Sequence, residues 1–162
     1  MRRTSFASMP CSIARTLEVV GEWWTLLIVR DAFLGVTRFE DWQRRLGIAR
    51  NVLAARLDGL VEAGILQRRQ YQTAPRREEY VLTAKGRDLG PVLAALRSWG
   101  DRHEPTPGGP TTLLVHDACG APTRPVQVCE HCGERLSPGD VHIAPGPGSE
   151  DPAFVGAGLP AA

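Results

Sequence analysis

The apolar positions of this chain fall into short helical stripes that end at glycines. Ile13, Leu17 and Val20 lie at helical spacing and predict a helix over Ser12–Val20, stopped by Gly21. Residues 23–34, WWTLLIVRDAFL, are apolar nearly all round, which predicts a helix buried at the centre of a domain and stopped by Gly35. Trp23 and Trp24 read there as core and interface anchors. A short extended piece, residues 36–38, leads into two further helices, about Phe39–Leu46 and 49–63, with Gly47 and Ile48 at the corner. Gly64 occupies the position after the second helix, where a left-handed glycine ends a helix without steric cost. Helix, short glycine-containing turn and helix together make a helix-turn-helix.

The second of these helices has two faces. Leu53, Leu57 and Leu60 form a narrow apolar stripe, and Asn51, Ala55 and Asp58 point the opposite way with Ala54 at their edge. Arg50 lies in the first turn and Arg56 on the flank. A small, polar outward face edged by arginine suits a helix whose backbone must enter a DNA major groove. The same face also fits a plain solvated helical hairpin.

After Gly64 the period changes to two. Residues 65–71 and 79–83 read as strands, with 72–77 as the loop between them and Pro75 inside it. Arg68, Arg69, Arg76 and Arg77 cluster on this hairpin, with Arg76 and Arg77 expected at its tip. A basic hairpin directly after a helix-turn-helix is a wing, able to reach phosphates or a minor groove. Thr83 is the expected N-cap of a helix over 84–103, broken or kinked near Gly90-Pro91 because proline clashes with the preceding turn. Leu93, Leu96 and Trp99 on that helix form an apolar stripe with no partner in so small a domain. Together with Ile13 and Leu17 they are the expected homodimer interface. The fold class expected is mainly α with one small β-hairpin, a winged helix-turn-helix.

Charge sharpens this division. Residues 1–103 carry 17 Lys and Arg against 11 Asp and Glu, a formal +6, and residues 104–162 carry −5. Only the first part is suited to a polyanion such as double-stranded DNA. Residues 104–112, EPTPGGPTT, read as a linker, and residues 1–10 and 143–162 as disordered ends. No apolar run is long enough to span a bilayer and no signal-peptide pattern opens the chain, so a cytoplasmic protein without membrane partners is expected. No glycine-rich phosphate loop or nucleophile–base spacing is present, so no enzyme is expected.

Three of the four cysteines lie in residues 113–142, as His116-x2-Cys119-Gly and Cys129-x2-Cys132-Gly separated by nine residues. Paired x2 knuckles supply the four N and S ligands of a closed tetrahedral Zn2+ site, so His116, Cys119, Cys129 and Cys132 are the expected ligands of a structural zinc in a small ribbon-like segment. Plain reduced cysteines and a Cys129–Cys132 redox pair are the alternatives, and His131 and His142 are rival fourth ligands.

Residues 11–103 closely resemble the HxlR-type winged-helix transcriptional regulators of bacteria, relatives of the MarR group. The resemblance rests on Cys11 before the first helix, EWWTLLIVRD at 22–31, RFEDWQRRLGIARNVLAARLDGLVEAGIL at 38–66, PRREEYVLTAKGRDL at 75–89 and PVLAALRSWGDRH at 91–103. It implies a homodimeric DNA-binding regulator without enzymatic activity. Ala49 stands where family members often place a Ser or Thr N-cap, so one capping bond, worth ~1 kcal/mol, is expected to be absent. Some relatives use the cysteine at position 11 as a redox or electrophile sensor, which makes Cys11 a sensing candidate and an electrophile or small molecule a candidate effector. The expected DNA-contacting set is Arg38, Arg50, Asn51, Ala54, Ala55, Arg56, Arg68, Arg76 and Arg77. The alternative function is a winged-helix adaptor that binds a protein partner and carries a structural zinc ribbon.

Overall fold

The computed structural model describes residues 5–149, so the expected loose ends fall partly outside the described residues. The chain divides into two compact units, Met1–Arg97 and Ser98–Ala162. In the first lie α1 (Ser12–Val20), α2 (Thr25–Phe33), α3 (Phe39–Leu46), α4 (Arg50–Glu62), β1 (Leu66–Thr73), β2 (Arg76–Leu82) and α5 (Ala84–Arg87). Helix α6 (Gly90–His103) crosses the division, and β3 (Leu114–His116) and β4 (Ala121–Thr123) belong to the second unit.

The winged-helix unit closes around Val20, Ile28, Val29, Trp42, Ile48, Leu53, Leu57, Leu60, Ile65 and Leu66. The stripe Leu53-Leu57-Leu60 of α4 is buried as its spacing requires. Trp42 on α3 is fully buried, donates its indole N–H to the Ile28 carbonyl at 3.2 Å, and meets the Tyr80 ring edge-on at 6.1 Å. One side chain thus joins α3, α2 and β2. A second joint is ionic. Asp31 of α2 is fully buried and accepts from Arg30 at 2.8 Å and from Arg45 of α3 at 3.3 Å. A buried carboxylate persists only when paired in this way.

Glycines end the key helices. Gly47 (φ 62°) turns the corner between α3 and α4. After α4, Gly64 (φ 69°) donates to Val61 O and Ile65 N–H to Leu60 O, both at 2.9 Å, which is the Schellman pattern. Gly86 is needed for a different reason. A Cβ there would lie 2.2 Å from the backbone oxygen of Ile65, so only glycine lets α5 approach the start of the wing. Thr83 caps α5 as expected, accepting from Gly86 N–H at 3.0 Å, and its hydroxyl donates to Gly64 O at 2.6 Å.

Three expectations change. Helix α2 starts at Thr25, because Thr25 N–H closes a turn onto Glu22 O at 2.9 Å, and this leaves Trp23 91% exposed instead of in the core. The wing strands run longer than expected and the turn between them is only Ala74-Pro75, a cis peptide, so Arg76 and Arg77 lie on β2. The register shifts between Gln70 and Gln72, a bulge at Tyr71. The break expected near Gly90-Pro91 is present, with Gly90 and Pro91 in the first turn of α6, where proline loses no hydrogen bond. Residues 5–10 include a turn secured to α1, with Phe6 N–H donating to Glu18 at 2.8 Å.

The second unit is different in kind. Strands β3 and β4 pair with His116 opposite Ala121, and Val128 bridges Arg135. From Thr111 to Ser149 every residue is exposed except Cys129 and Leu136. Among the described residues, no helix is long and apolar enough to cross a membrane.

Candidate nucleic-acid interface

The outward face of α4 is laid out as its sequence demands. Arg50, Asn51, Ala55 and Asp58 are exposed, and Ala54 is half-buried at their edge. Ala49 at the N-cap makes no side-chain capping bond, so that bond is indeed missing. The small residues Ala54 and Ala55 leave the backbone of α4 free to come close to a groove wall.

The arginines are less free than their number suggests. Arg50 lies over the Phe39 ring at 4.7 Å and Arg38 over Tyr71 at 4.8 Å. Both guanidiniums stay on exposed residues, so stacking orders them without hiding them. Arg56 turns inward and pairs with Glu22 at 3.0 Å, with its Nε buried and unbonded among the described residues. Arg68 pairs with Asp58 at 2.6 Å, joining β1 to α4. The Tyr80 hydroxyl beside the Arg68 guanidinium, ahead of Asp58, raises its pKa further. Arg69 meets Glu79 directly across the hairpin at 2.7 Å, and Arg76 pairs with Glu78. The Glu79 carboxyl is held below its ordinary value by the Thr37 side chain first and by Arg69 second. Asn51 and Arg77 are exposed and have no side-chain partner among the described residues.

This reorders the sequence-based set. Arg50, Asn51, Ala54 and Ala55 share the outward side of α4, and Arg76 and Arg77 flank the wing turn. Arg56 and Arg68 are tied into the domain. Glu22 and Asp31, which fix α4 and α3 through arginines, were invisible to spacing rules. The Arg69–Glu79 pair was not legible from the turn alone, because Ala74-Pro75 sets Gln72 opposite Arg77 and only the bulge at Tyr71 then brings Arg69 opposite Glu79.

The expected dimer residues separate in the same way. Ile13 (73% exposed) and Leu17 on α1 present apolar surface, as do Leu96 and Trp99 on α6. Leu93 does not, since it packs against the core. Its place in the exposed stripe is taken by Val92, at i−4 from Leu96. Cys11 sits exposed at the N-cap of α1 as a free thiol.

The family model for the HxlR-like helix-turn-helix matches residues 19–107. The chain belongs to the HxlR-like helix-turn-helix family. Its similarity to the HTH-type transcriptional regulator Rv3095 of Mycobacterium tuberculosis is 48% identity over 137 residues, covering 85% of this chain and 87% of that protein. Among solved structures it resembles PA1607, a candidate transcription factor, at 41% identity and TM-score 0.78, over 87% of this chain and 99% of that one. It also resembles the redox regulator HypR in its oxidised form, at 32% identity and TM-score 0.52, over 56% of this chain and 94% of that one. The chain is therefore a transcriptional regulator with a helix-turn-helix DNA-binding domain, and its relatives are regulators and not enzymes.

The HxlR-like relatives differ in what they cover. The 137 residues shared with the mycobacterial regulator cannot fit within residues 1–112, so that likeness extends into the Cys/His segment. The likeness to HypR covers little more than the winged helix. In the extension, His116 Nδ1 lies 3.2 Å from Cys119 Sγ. The backbone N–H of Cys132, then that of His131, then the Cys132 side chain hold the Cys129 thiol below its ordinary value. Among the described residues, no three His, Cys, Asp or Glu side chains gather at one point. His131 lies 3.8 Å from Glu130, and both are exposed.

Proposed function

We propose that this HxlR-like protein binds a specific operator as a homodimer and changes its affinity when Cys11 meets an oxidant or electrophile. The observation that carries the DNA part is the exposed face of α4, with Arg50, Asn51 and Ala55 outward and nothing bulky between them. In this arrangement α4 enters the major groove. Asn51 and Arg50 supply donors for base edges, and Arg76 and Arg77 beside the wing turn supply phosphate contacts. The exposed apolar residues of α1 and α6 support pairing of two copies, which places two α4 helices on half-sites about one turn of duplex apart. The exposed free thiol of Cys11, and the likeness to a protein described as a redox regulator, support the sensing part.

The test is a titration of the protein against DNA from upstream of its own gene and against scrambled DNA, at several salt concentrations. A specific site is expected to bind at least ~1,000-fold more tightly than scrambled DNA. Asn51→Ala is expected to lose much of that preference. Changing Arg76 and Arg77 together to Ala is expected to weaken both DNAs alike and to flatten the salt slope by about 1.8, two phosphates' worth. Oxidant is expected to shift the wild type and leave Cys11→Ser unmoved. Equal affinity for both DNAs, beside a stable protein complex in pull-down, would favour the adaptor function.

A further inference from the structure

Among its described residues, the second unit has strands, turns and a fixed register, but no core. Between Thr111 and Ser149 only Cys129 and Leu136 are even half-buried. Segments this small do not hold together on so little buried surface, and the usual substitutes are disulfides or a metal. All four cysteines are free thiols. What the unit does have is two turns built to the same plan. In the first, Gly120 N–H donates to His116 O at 2.8 Å and Gly120 is left-handed at φ 66°. In the second, Gly133 N–H donates to Cys129 O at 2.8 Å and Gly133 is left-handed at φ 74°. Each turn joins two paired or bridged segments and sets two ligand-type side chains at its ends. His116 and Cys119 face each other at 3.2 Å across the first turn, and Cys129 and Cys132 stand at the same two positions of the second.

We propose that His116, Cys119, Cys129 and Cys132 bind one structural Zn2+ ion, and that this ion is the core of the second unit. The two copies of one turn are explained by a single task, since each delivers two ligands and four close a tetrahedron. Three sulfurs and one imidazole suit zinc over the oxygen-seeking cations. A full set of protein ligands leaves no open position, so the ion is structural. Each half-site is formed separately, and the ion is what links them. Binding therefore releases thiol protons and contributes directly to folding of the unit. His131, exposed and beside Glu130, is outside the set. Nothing in this assignment depends on DNA binding.

The experiment uses the full-length protein, freshly purified under reducing conditions, with metal measured by mass spectrometry. About one equivalent of zinc per chain is expected. Cys119→Ser and Cys132→Ser are each expected to lower it at least several-fold, while His116→Cys, which makes an equally closed four-sulfur set, retains it. Cobalt substitution is expected to give the visible bands of a tetrahedral thiolate site. Chelation is expected to make residues 113–142 protease-sensitive while helical circular dichroism persists. Less than about half an equivalent of zinc in the reduced wild type would overturn the site. So would full zinc in both serine variants, or a Cys129–Cys132 disulfide in metal-free native protein.

Discussion

Two antiparallel hairpins in this chain are held by opposite means. The wing, β1–β2, is anchored at its base by side chains in the core: Leu66 is 1% exposed, Leu82 packs on the same cluster, and Tyr80 meets buried Trp42. Its far end is then free to carry charge. The second hairpin, β3–β4, has every residue exposed on both strands. Among the described residues, its one close side-chain contact is between His116 and Cys119 at the turn. One hairpin is ordered by burial at its base; for the other, the proposed zinc ion at its tip would take that part. The same backbone pattern thus has two different sources of order, and either should be able to fail while the other persists.

The largest separation is expected from Trp42→Ala. It removes a fully buried indole, its bond to Ile28 O and its contact with Tyr80, a loss of about 3–5 kcal/mol in a winged-helix unit whose total stability is of that order. Urea unfolding followed by helical circular dichroism should show it, while zinc per chain stays at the wild-type level. A fall in both together would show that the two hairpins are not independent. Next comes Gly86→Ala. The new Cβ would meet the Ile65 oxygen at 2.2 Å, and that atom belongs to backbone, so α5 must move away from the wing base. A cost of about 1–3 kcal/mol in urea midpoint is expected, again with zinc unchanged.

The sequence made the burial-held part legible and the charge-held part much less so. Periodicity placed α1 and α3 to the residue, and buried Leu53, Leu57 and Leu60, because apolar spacing is a direct record of which face meets the core. Gly64 and Thr83 were equally plain, since a left-handed stop and a capping hydroxyl each have one local job. Trp23 went wrong because a long apolar run does not mark where its helix begins, and a turn at Glu22 put that ring outside. Leu93 is partly buried against the core, and Val92, one turn before Leu96, is exposed in its place. The partners of the arginines were least legible. A long flexible side chain does not record its partner in local spacing. Arg56 and Arg68 found carboxylates 34 and 10 residues away in sequence. The two Cys/His turns, by contrast, follow from local spacing, because the residues at the ends of each are separated by only two positions.

Arg56 gives the smallest effect and the finest distinction. On α4 it flanks the outward face, yet its guanidinium reaches Glu22 at 3.0 Å, in the corner between α1 and α2. Both side chains are about a third exposed, so the pair itself is worth at most ~1 kcal/mol. Part of that is offset by the buried Nε, which has no bonding partner among the described residues. Arg56→Ala should therefore hardly change stability. Its consequence lies in the placement of α4, which the pair ties to the segment leading from α1. If Arg56 acts by positioning, Arg56→Ala and Glu22→Gln should weaken operator binding by a similar factor, no more than about fivefold. The double variant should be no worse than either, since both remove one interaction. The salt slope should not move. A phosphate contact behaves otherwise: losing Arg56 would flatten the slope by about 0.9, and losing Glu22 would release the arginine and strengthen binding. The sign of the Glu22→Gln effect thus separates a side chain that touches DNA from one that holds the helix that does.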